Sequence, residues 1–285
     1  MTKKELDYYL AEWNLTNPQL LKQTLTSHIY SVTHGAETVI LKLLAAAETE
    51  EQRGAAALSH FDGRGAVRIL HYDERAQLIE YAAGDELVTL VKRGEDETAT
   101  RIIAQVIKQL HSIPPEDVRL GSLLGLDRWF ERLFTQAETD RRTGIESIYV
   151  RSALLVKKLL ADPHEVRVLH GDIHHYNIRQ SSRGWLAFDP KGLFGERTYD
   201  CANTLCNPVM PELVHNEARL LTNASILAET LKIDLSRVLA FTYAYACLNA
   251  SQWLPRIGMD DVAEEIIQWH LKVAQIIEPH IKDYK

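Results

Sequence analysis

The strongest constraint on the fold is a change in the hydrophobic pattern of the chain near residue 82. Before this point, apolar residues come in short runs separated by turn residues, a pattern typical of antiparallel β-strands. After it, long stretches with an apolar residue about every three or four positions predict helices. The segment between them, residues 82–85, contains glycine and aspartate and is typical of a loop. The pattern therefore predicts a small β-rich part followed by a larger, mainly helical part.

The first part is predicted to form an antiparallel sheet with one inserted helix, of about residues 46–61. Its five predicted strands are 20–25, 29–33, 38–44, 66–72 and 76–81. The helices predicted in the second part are 95–111, 126–142, 147–160, 212–231, 235–254 and 261–280. Short predicted strands at 166–169, 177–180 and 185–188 interrupt these helices. This order indicates an α+β fold, and ligands favour the cleft between two such parts.

Composition and charge argue against several classes of protein. The 285 residues include 32 Lys and Arg and 39 Asp and Glu, which gives a formal net charge of −7. An acidic chain is a poor nucleic-acid binder, because neutralisation of phosphates supplies most of that affinity. Three cysteines are too few for a disulfide framework, and the longest apolar run, 239–254, is too short to cross a bilayer. Since the N-terminus also lacks the apolar stretch of a secretory signal, we expect a cytoplasmic protein with no nucleic-acid or membrane partner.

The polar residues that carry chemistry are concentrated between the short strands of the second part. His170 to Asn177 reads His-Gly-Asp-Ile-His-His-Tyr-Asn, and Asp189 closes an apolar strand just before a proline. Asp172, Asn177 and Asp189 are therefore predicted to converge on one cleft. Carboxylate and amide oxygens without a thiolate suit a hard cation such as Mg²⁺.

The spacing D-x-x-x-x-N followed by an aspartate at a strand end is the arrangement of the catalytic loop and metal site of kinases. The loop H-G-D-x-x-x-x-N at 170–177 resembles that of the aminoglycoside phosphotransferase family. Together with 184–193 (GWLAFDPKGL) and 199–203 (YDCAN), it is similar to one branch of that family. This branch contains the aminoglycoside 6-phosphotransferases, or streptomycin kinases, and the related hydroxyurea phosphotransferases.

The resemblance implies a bilobal, protein-kinase-like fold. Residues 1–82 would form an N-terminal nucleotide-binding lobe, and residues 83–285 a C-terminal helical lobe with the catalytic loop and the substrate site. The implied cofactors are ATP, with GTP as the alternative nucleotide, and Mg²⁺. The implied reaction moves the γ-phosphate to a hydroxyl of a small molecule, an aminoglycoside such as streptomycin, and confers antibiotic resistance. Hydroxyurea and a small metabolite are the alternative acceptors, and we expect a monomer or a weak homodimer.

The resemblance also implies a role for each residue of the central constellation. Asp172 would be the catalytic base that orients the acceptor hydroxyl and takes its proton. Asn177 and Asp189 would hold Mg²⁺ against the nucleotide phosphates. Lys42, the one cation of its predicted strand, would reach the α- and β-phosphates. The alternative for Lys42 is a lysine on an edge strand that faces solvent.

The acidic partner of Lys42 is predicted at the start of the inserted helix. Family members usually carry it in a motif R-E-A-x-x-L, but here Gly54 occupies the position of the glutamate. Glu51, about one helical turn earlier, is the predicted partner, with Glu48 and Glu50 as rivals. The alternative is that all three glutamates form a solvated helix start that the helix dipole stabilises.

Two loops are predicted to supply the remaining nucleotide contacts. The loop 26–29 lies between the first two predicted strands, and its backbone amides and the Ser27 hydroxyl would contact phosphate. Glu80, Tyr81 and Ala82 lie where main-chain groups of the hinge would pair with adenine.

Four further residues are predicted to support the site. Asp200 would hold the catalytic loop by hydrogen bonds rather than bind a metal ion, and His170 would brace the same loop. His174 lies where protein kinases have a lysine near the γ-phosphate, and it would either assist there or be solvated. Lys191 would position phosphate or substrate.

The acceptor site is predicted less sharply than the catalytic loop. A streptomycin-like acceptor carries guanidinium cations, which favours an acidic rim with an aromatic face. The candidates are Asp260, Asp261, Glu264, Glu265, Trp253 and Tyr243. Each is also explained as an ordinary charged helix start or core aromatic residue.

Two other classes of function are compatible with parts of the sequence. His170, Asp172, His174 and His175 alternate like the ligands of a zinc hydrolase, but a largely helical chain lacks the other strand ends that such a site needs. The second class is a kinase fold that binds ligand without catalysis. This hypothesis predicts a substitution at the base, the metal ligands or the lysine, and all four of those residues are present.

Overall fold

The computed structural model describes residues 3–24, 26–45, 49–115 and 122–281. Its strands are β1 (Leu15–Gln23), β2 (Ser27–His34), β3 (Glu37–Leu44), β4 (Ile69–Tyr72), β5 (Ala76–Glu80), β6 (Leu124–Gly125), β7 (Val166–Leu169), β8 (Ile178–Ser181), β9 (Gly184–Ala187) and β10 (Leu193–Glu196). Its α-helices are α1 (Lys3–Glu12), α2 (Thr49–Phe61), α3 (Val88–Lys92), α4 (Asp96–Leu110), α5 (Leu126–Trp129), α6 (Glu131–Arg142), α7 (Ile148–Ala161), α8 (Ala202–Leu205), α9 (Pro211–Val214), α10 (Glu217–Leu231), α11 (Leu235–Trp253) and α12 (Ala263–Ile277). A sheet at the start and a mainly helical remainder confirm the predicted α+β fold.

The N-terminal sheet has the strand order β1-β2-β3-β5-β4, and all of its neighbouring strands are antiparallel. This confirms the predicted five-stranded sheet. β3 lies in the middle, between β2 and β5, and its residues 39–44 are buried. A strand covered on both faces has little alternation of polar and apolar residues, which explains the nearly continuous apolar run of β3.

The first strand is longer than the sequence predicts. β1 begins at Leu15 rather than near residue 20, and it includes Asn17 and Pro18. It lies at the edge of the sheet, and its pairing with β2 is irregular between Thr16 and Gln19. An edge position tolerates proline, because the missing N–H would face away from the neighbouring strand. The proline therefore gave a false indication of a loop at this point.

The helical part surrounds α11, a helix of 19 residues that is buried along most of its length. This burial explains the apolar run at 239–254, because a helix that is apolar on every side belongs in a core. Within the described residues, no helix has the length and apolar character needed to cross a membrane.

Two predictions about the helical part were wrong in detail, and one strand was missed. The helix predicted at 126–142 is divided into α5 and α6 at the buried Phe130. The helix predicted at 212–231 starts at Glu217, because the Asn216 side chain accepts a hydrogen bond from the Arg219 N–H and caps α10. β10, a strand the sequence did not predict, pairs with β7. Periodicity alone extends a helix past its cap, and it missed β10 although it predicted β7, β8 and β9 to within one residue.

The hairpin of β8 and β9 connects the two parts of the chain. Gly84 N–H donates to the Gln180 carbonyl oxygen at 2.9 Å, and Val67 N–H donates to the Ala187 carbonyl oxygen at 2.9 Å. A Cβ atom at residue 84 would lie 2.7 Å from the Gln180 carbonyl oxygen, so glycine permits this close approach. The hairpin thereby forms one side of the cleft between the N-terminal sheet and the helical part.

Candidate active site

A cleft of about 700 Å³ lies between the N-terminal sheet and the β8–β9 hairpin. Seven of the predicted site residues line it: Ser27, Lys42, Glu51, Glu80, Ala82, Asn177 and Asp189. Apolar side chains also line it: Ile29, Ile40, Val67, Ile79 and Phe188. The cleft therefore offers an apolar surface and a group of charged side chains within one cavity, as a nucleotide requires.

Lys42 lies at the centre of the charged group. Its strand, β3, is an interior strand of the sheet, so the alternative of a solvent-facing edge lysine is wrong. Lys42 Nζ donates to Glu51 Oε2 at 2.7 Å and to Asp189 Oδ1 at 2.8 Å, and only 11% of the side chain is exposed. Burial alone would lower the pKa of Lys42, but Asp189 and Glu51 raise it above its usual value of 10.5. Lys42 is therefore a fully charged cation that faces the cleft.

The position of α2 explains which glutamate lies at Lys42. A Cβ atom at residue 54 would come within 2.5 Å of the Pro190 carbonyl oxygen, so the helix approaches that loop too closely for a glutamate there. Glu51, one turn earlier, makes the ion pair, and Gln77 Nε2 on β5 donates to its carbonyl oxygen at 2.9 Å. Glu50 pairs with a different lysine, while Glu48 lies outside the described residues.

Asp189 reaches the cleft from the loop after β9. Its backbone is left-handed, with φ of 62°, a conformation that aspartate tolerates better than most residues. Half of its side chain is exposed (50%) although it contacts Lys42. Burial would raise the pKa of Asp189, but the charges of Lys42 and Lys191 lower it below its usual value of 3.8. The carboxylate is therefore ionised and accessible to a cation in the cleft.

The catalytic-loop aspartate, Asp172, is held by two amides. Asn203 Nδ2 donates to Asp172 Oδ1 at 2.7 Å, and Asn177 Nδ2 donates to the Asp172 carbonyl oxygen at 3.0 Å and to Oδ2 at 3.3 Å. Lys191 Nζ lies 3.9 Å from Asp172 Oδ2. The side chain is 22% exposed. Asn203 thus fixes Oδ1 of Asp172, and Oδ2 faces Asn177 and Lys191.

Asn177 and Asp189 fit a magnesium ion by the chemistry of their donor atoms. The Asn177 amide nitrogen is used by Asp172, while its Oδ1 accepts no hydrogen bond within the part of the chain that the structure describes. The Phe188 N–H donates to the Asn177 carbonyl oxygen at 3.0 Å, which ties the loop of Asn177 to the segment that leads into Asp189. An amide oxygen and an ionised carboxylate are donors that Mg²⁺ prefers.

Asp200 contacts the catalytic loop from the side of the protein core. Its carboxylate accepts hydrogen bonds from the His170 N–H at 3.0 Å, the Gly171 N–H at 2.7 Å and His111 Nε2 at 2.8 Å. Asp200 and His111 are both buried, and Asp200 does not line the cleft. The contact with His111 was missed by sequence reasoning, because the two residues are far apart in the chain.

The comparison with known proteins agrees with this geometry. Residues 12–258 match the aminoglycoside/hydroxyurea antibiotic resistance kinase family. The chain belongs to this family. It is an ATP-dependent small-molecule kinase of the aminoglycoside phosphotransferase type, as its sequence resemblance implied.

Two relatives and one solved structure illustrate the similarity. The kinase is 34% identical to a streptomycin 3''-kinase of Klebsiella pneumoniae over 254 residues, which are 86% of this chain and 91% of the relative. It is 28% identical to a streptomycin 6-kinase of Streptomyces griseus over 182 residues, which are 61% of this chain and 57% of that relative. The fold resembles that of the phosphotransferase APH(2'')-IIa, solved with streptomycin and ATP, with a TM-score of 0.63 at 10% identity over 97% of this chain and 98% of that one. This likeness confirms the protein-kinase-like fold.

Two of the three histidines of the kinase's catalytic loop, His170 and His174, lie next to Asp172. His170 is fully buried, its Nε2 donates to the Phe188 carbonyl oxygen at 3.0 Å, and its Nδ1 accepts from the Asp172 N–H at 3.3 Å. His174 Nδ1 accepts from the Tyr176 N–H at 3.2 Å, while its Nε2 lies 3.8 Å from Asp172 Oδ1. Burial lowers the pKa of both rings. His170 thus lies between Asp172 and the strand before Asp189, and His174 lies beside Asp172 as a neutral ring.

Lys191 joins the catalytic loop to α2. Its Nζ donates to Glu50 Oε1 at 2.6 Å and lies near the Asp172 carboxylate. Burial alone would lower the pKa of Lys191, but Asp172 and Glu50 raise it above its usual value of 10.5. The structure therefore brings this predicted residue close to Asp172 and leaves it charged.

The loop between β1 and β2 is organised by a residue that sequence reasoning missed. Thr24 Oγ1 accepts hydrogen bonds from the Ser27 N–H at 2.9 Å and from the Thr26 N–H at 3.3 Å. The Ser27 and Thr24 hydroxyls lie 3.0 Å apart, and Ser27 is buried at the edge of the cleft. These two amides are therefore already paired in the structure, while residue 25 lies outside the described residues.

At the hinge, the Glu80 side chain is paired within the kinase, whereas Ala82 lines the cleft. Glu80 accepts from Arg183 Nε at 2.9 Å and from the Arg68 N–H at 3.0 Å. Burial would raise the pKa of Glu80, but Arg183 and the Arg68 N–H lower it below its usual value of 4.5. Ala82 is buried and lines the cleft. The Glu80 carboxylate is thus occupied by the hairpin arginine.

The aromatic residues suggested for an acceptor rim are already occupied. Tyr243 is only 2% exposed, and its hydroxyl donates to Glu278 at 3.0 Å. The guanidinium of Arg256 covers the Trp253 ring, 4.6 Å from its centroid. The suggestion of a free aromatic face was therefore wrong for Tyr243, and at Trp253 the Arg256 guanidinium covers one face of the ring. The acidic candidates Asp261, Glu264 and Glu265 are exposed near the start of α12.

The histidines of the catalytic loop do not form a metal centre. His175 is buried, and neither ring nitrogen has a hydrogen-bond partner in the described part of the chain; burial is the main cause that lowers its pKa to about 3. Within residues 3–24, 26–45, 49–115 and 122–281, no three His, Cys, Asp or Glu side chains are grouped as ligands. The zinc-hydrolase hypothesis has no support in this arrangement.

Proposed function

We propose that the protein transfers the γ-phosphate of ATP to a hydroxyl of streptomycin, with Asp172 as the base. The observation that carries the proposal is the joint placement of four side chains in the cleft, with Asp172 beside them. The four are Lys42, Glu51, Asn177 and Asp189. Streptomycin is proposed as acceptor because two relatives that match the chain are streptomycin kinases.

Lys42 is proposed to bind the α- and β-phosphates. A charged amine that is already paired with two carboxylates is held in one place, so little side-chain entropy is lost when phosphate binds. Glu51 holds the Lys42 amine in the cleft. Asp189 is able to move away from that amine, because half of the Asp189 side chain is exposed. Ser27 and the main chain at Glu80 and Ala82 are the further contacts proposed for ATP, with GTP as the alternative nucleotide.

Asp172 is proposed to accept the proton of the acceptor hydroxyl at Oδ2. Oδ1 is engaged by Asn203, whereas Oδ2 faces Lys191 at 3.9 Å. A hydroxyl bound at Oδ2 is oriented for attack on the γ-phosphorus, and most of the rate enhancement then comes from positioning. Lys191, which is charged, is proposed to stabilise the negative charge that develops on the transferring group.

Asn177 and Asp189 are proposed to hold Mg²⁺, which neutralises charge on the nucleotide phosphates when it is bound. His170 keeps the two ligand-bearing segments together through the Phe188 carbonyl oxygen, and Asp200 fixes the backbone of the same loop. His174 is proposed to pack beside the base rather than to carry charge, because burial keeps its ring neutral.

The two parts of the chain are proposed to divide the binding of the two substrates. Residues 1–82 contribute Lys42, Glu51 and the loop at Ser27 to the nucleotide, and residues 83–285 contribute Asp172 and the acceptor site.

The proposal also concerns which hydroxyl of streptomycin receives the phosphate. The sequence resemblance predicts the 6-hydroxyl, in agreement with the name of the Streptomyces griseus relative. The relative with 34% identity is instead a streptomycin 3''-kinase, which makes the 3''-hydroxyl the second candidate. Phosphorus–proton NMR of the purified product distinguishes the two positions.

The test is ADP release from the purified protein with Mg-ATP, with and without streptomycin. We expect streptomycin-dependent release that Asp172→Ala lowers by about 100-fold or more, the range for loss of a general base. Asp7→Asn, which changes an exposed aspartate on α1, is the matched control and should keep full activity. Near wild-type turnover in Asp172→Ala would contradict the role of Asp172. Stimulation by hydroxyurea or a small metabolite in place of streptomycin would contradict the proposed acceptor.

A further inference from the structure

Asn203, which has no role in the proposal above, contacts the base directly. It lies on α8, it is only 5% exposed, and its Nδ2 donates to Asp172 Oδ1 at 2.7 Å. This is the shortest hydrogen bond that the Asp172 carboxylate accepts; the bond from Asn177 to Oδ2 measures 3.3 Å. Hydrogen bonds to an ionised acceptor are stronger than those between neutral groups, so this contact strongly favours one orientation of the carboxylate.

A second asparagine fixes which end of the Asn203 amide faces the base. Asn207 Nδ2 donates to Asn203 Oδ1 at 2.8 Å and to the Asn203 carbonyl oxygen at 3.1 Å. Because Asn203 Oδ1 accepts from Asn207, its NH₂ group is directed at Asp172. The amide cannot turn over without placing its oxygen against the carboxylate and its NH₂ against the NH₂ of Asn207.

Asn207 is anchored in turn by a partly buried ion pair. Arg219 donates to the Asn207 carbonyl oxygen at 3.1 Å and to both carboxylate oxygens of Asp96 at 2.8 Å. Asn223 Nδ2 also donates to Asp96 at 2.8 Å. The polar contacts therefore run without interruption from the start of α4, through α10 and the end of α8, to the base.

We propose that Asn203 is a positioning residue for Asp172, and that Asn207 sets the orientation of its amide. The inference rests on the proposed role of Asp172 as the base. Asn203 fixes Oδ1 and leaves Oδ2 to the acceptor hydroxyl.

The first test compares Asn203→Ala with Asn203→Asp. Asn203→Ala removes the donor, and we expect kcat to fall about tenfold to a hundredfold, the range for a hydrogen bond to a charged group, with the KM for ATP within about threefold. Asn203→Asp has the same shape but places a second carboxylate against Asp172, so its kcat should fall further than that of Asn203→Ala. If Asn203 only filled space, kcat would instead be lower in Asn203→Ala than in Asn203→Asp, because aspartate keeps the volume of asparagine and alanine does not.

The second test changes Asn207, which contacts Asn203 but not the base. It compares Asn207→Ala with Asn207→Asp. A carboxylate at 207 offers only acceptors, so the Asn203 NH₂ turns towards it and away from Asp172. We expect kcat to be lower in Asn207→Asp than in Asn207→Ala, although neither change touches the base. This pair keeps the proposal testable if a variant at 203 fails to fold.

Asn216→Asp is the matched control, since aspartate caps α10 as well as asparagine does and the change in charge is the same. It should keep wild-type kcat, and the melting temperature of every variant shows whether it is folded. An Asn→Asp variant with kcat equal to or above that of the alanine variant at both 203 and 207 would overturn the role of Asn203. Asp172→Ala, measured in parallel, separates the two proposals: retained turnover there would contradict the role of Asp172 itself.

Discussion

Gly54 of α2 lies directly against the Pro190 carbonyl oxygen, where a Cβ atom would come within 2.5 Å. The same helix contributes Glu51 to Lys42 and Glu50 to Lys191. Pro190 lies between Asp189, a proposed metal ligand, and Lys191. The contact therefore sets the distance between α2, which pairs with Lys42 through Glu51, and the loop that carries Asp189.

Replacing Gly54 by alanine tests this contact. In an exposed helix, glycine to alanine adds about 1 kcal/mol of stability, but here the methyl group meets a backbone oxygen and the helix must move. We expect Gly54→Ala to lower the free energy of unfolding by about 1–3 kcal/mol, the usual cost of overpacking, and to raise the KM for ATP. Chemical denaturation and initial-rate kinetics measure the two effects.

Ser59→Ala is the control for Gly54→Ala, because residue 59 is exposed on the same helix. It should leave both the free energy of unfolding and the KM for ATP close to the wild-type values. A Gly54→Ala protein that is as stable as Ser59→Ala and binds ATP normally would show that the close approach of α2 has no consequence.

The two neighbouring glutamates of α2 are predicted to have separable effects. Glu51→Gln removes a charged partner of Lys42, so the lysine is held less firmly and the KM for ATP should rise about tenfold, as expected for a hydrogen bond between charged groups. Glu50→Gln frees Lys191 instead and should change kcat while leaving the KM for ATP within about twofold of the wild-type value. Equal effects of the two changes on the KM for ATP would contradict the assignment of Glu51 to Lys42.

Local patterns made much of the fold and site predictable from the sequence. The apolar run of β3 and the spacing between Asp172 and Asn177 are continuous stretches of chain, so their arrangement follows from a strand and one loop. Lys42 and Asp189 lie 147 residues apart in the sequence, and they were brought together only by the resemblance to a kinase family. The structure places them 2.8 Å apart.

What the sequence did not predict depends on contacts between distant segments. His111 meets Asp200 across 89 residues, and Asn203 meets Asp172 across 31, with no periodic signal at either place. The prediction of an aromatic face at Tyr243 was wrong for a related reason. The sequence around Tyr243 has the same helical periodicity whether the ring is exposed or buried. Only the packing of α11 in the core buries the ring.

The partly buried pair of Asp96 and Arg219 predicts a pH-dependent contribution to stability. Burial alone would raise the pKa of Asp96, but the hydrogen bonds and charge of Arg219, together with Asn223, lower it below its usual value of 3.8. A carboxylate whose pKa is lowered in the folded state stabilises the protein above its unfolded pKa, and the contribution is lost as the pH falls towards the folded value.

Asp96→Asn should therefore be less stable than the wild type by about 3 kcal/mol near neutral pH, because Arg219 loses its charged partner while 9% exposed. The difference should stay constant above about pH 5 and shrink as the pH falls below 3.8. Urea denaturation of both proteins at a series of pH values measures it. A difference that grows on acidification has the wrong sign and would contradict the pairing.

The most direct test of the account compares Mg-ATP affinity and turnover in Asp172→Asn and Asp189→Asn. The central claim is that these two carboxylates divide the work: Asp172 serves the acceptor hydroxyl, and Asp189 serves the metal and nucleotide. We predict that Asp172→Asn binds Mg-ATP with nearly wild-type affinity in calorimetry while streptomycin-dependent ADP release is lost. Asp189→Asn should instead bind Mg-ATP about tenfold or more weakly, as expected for loss of a charged ligand. Weakened Mg-ATP binding in Asp172→Asn together with normal binding in Asp189→Asn would contradict the claim.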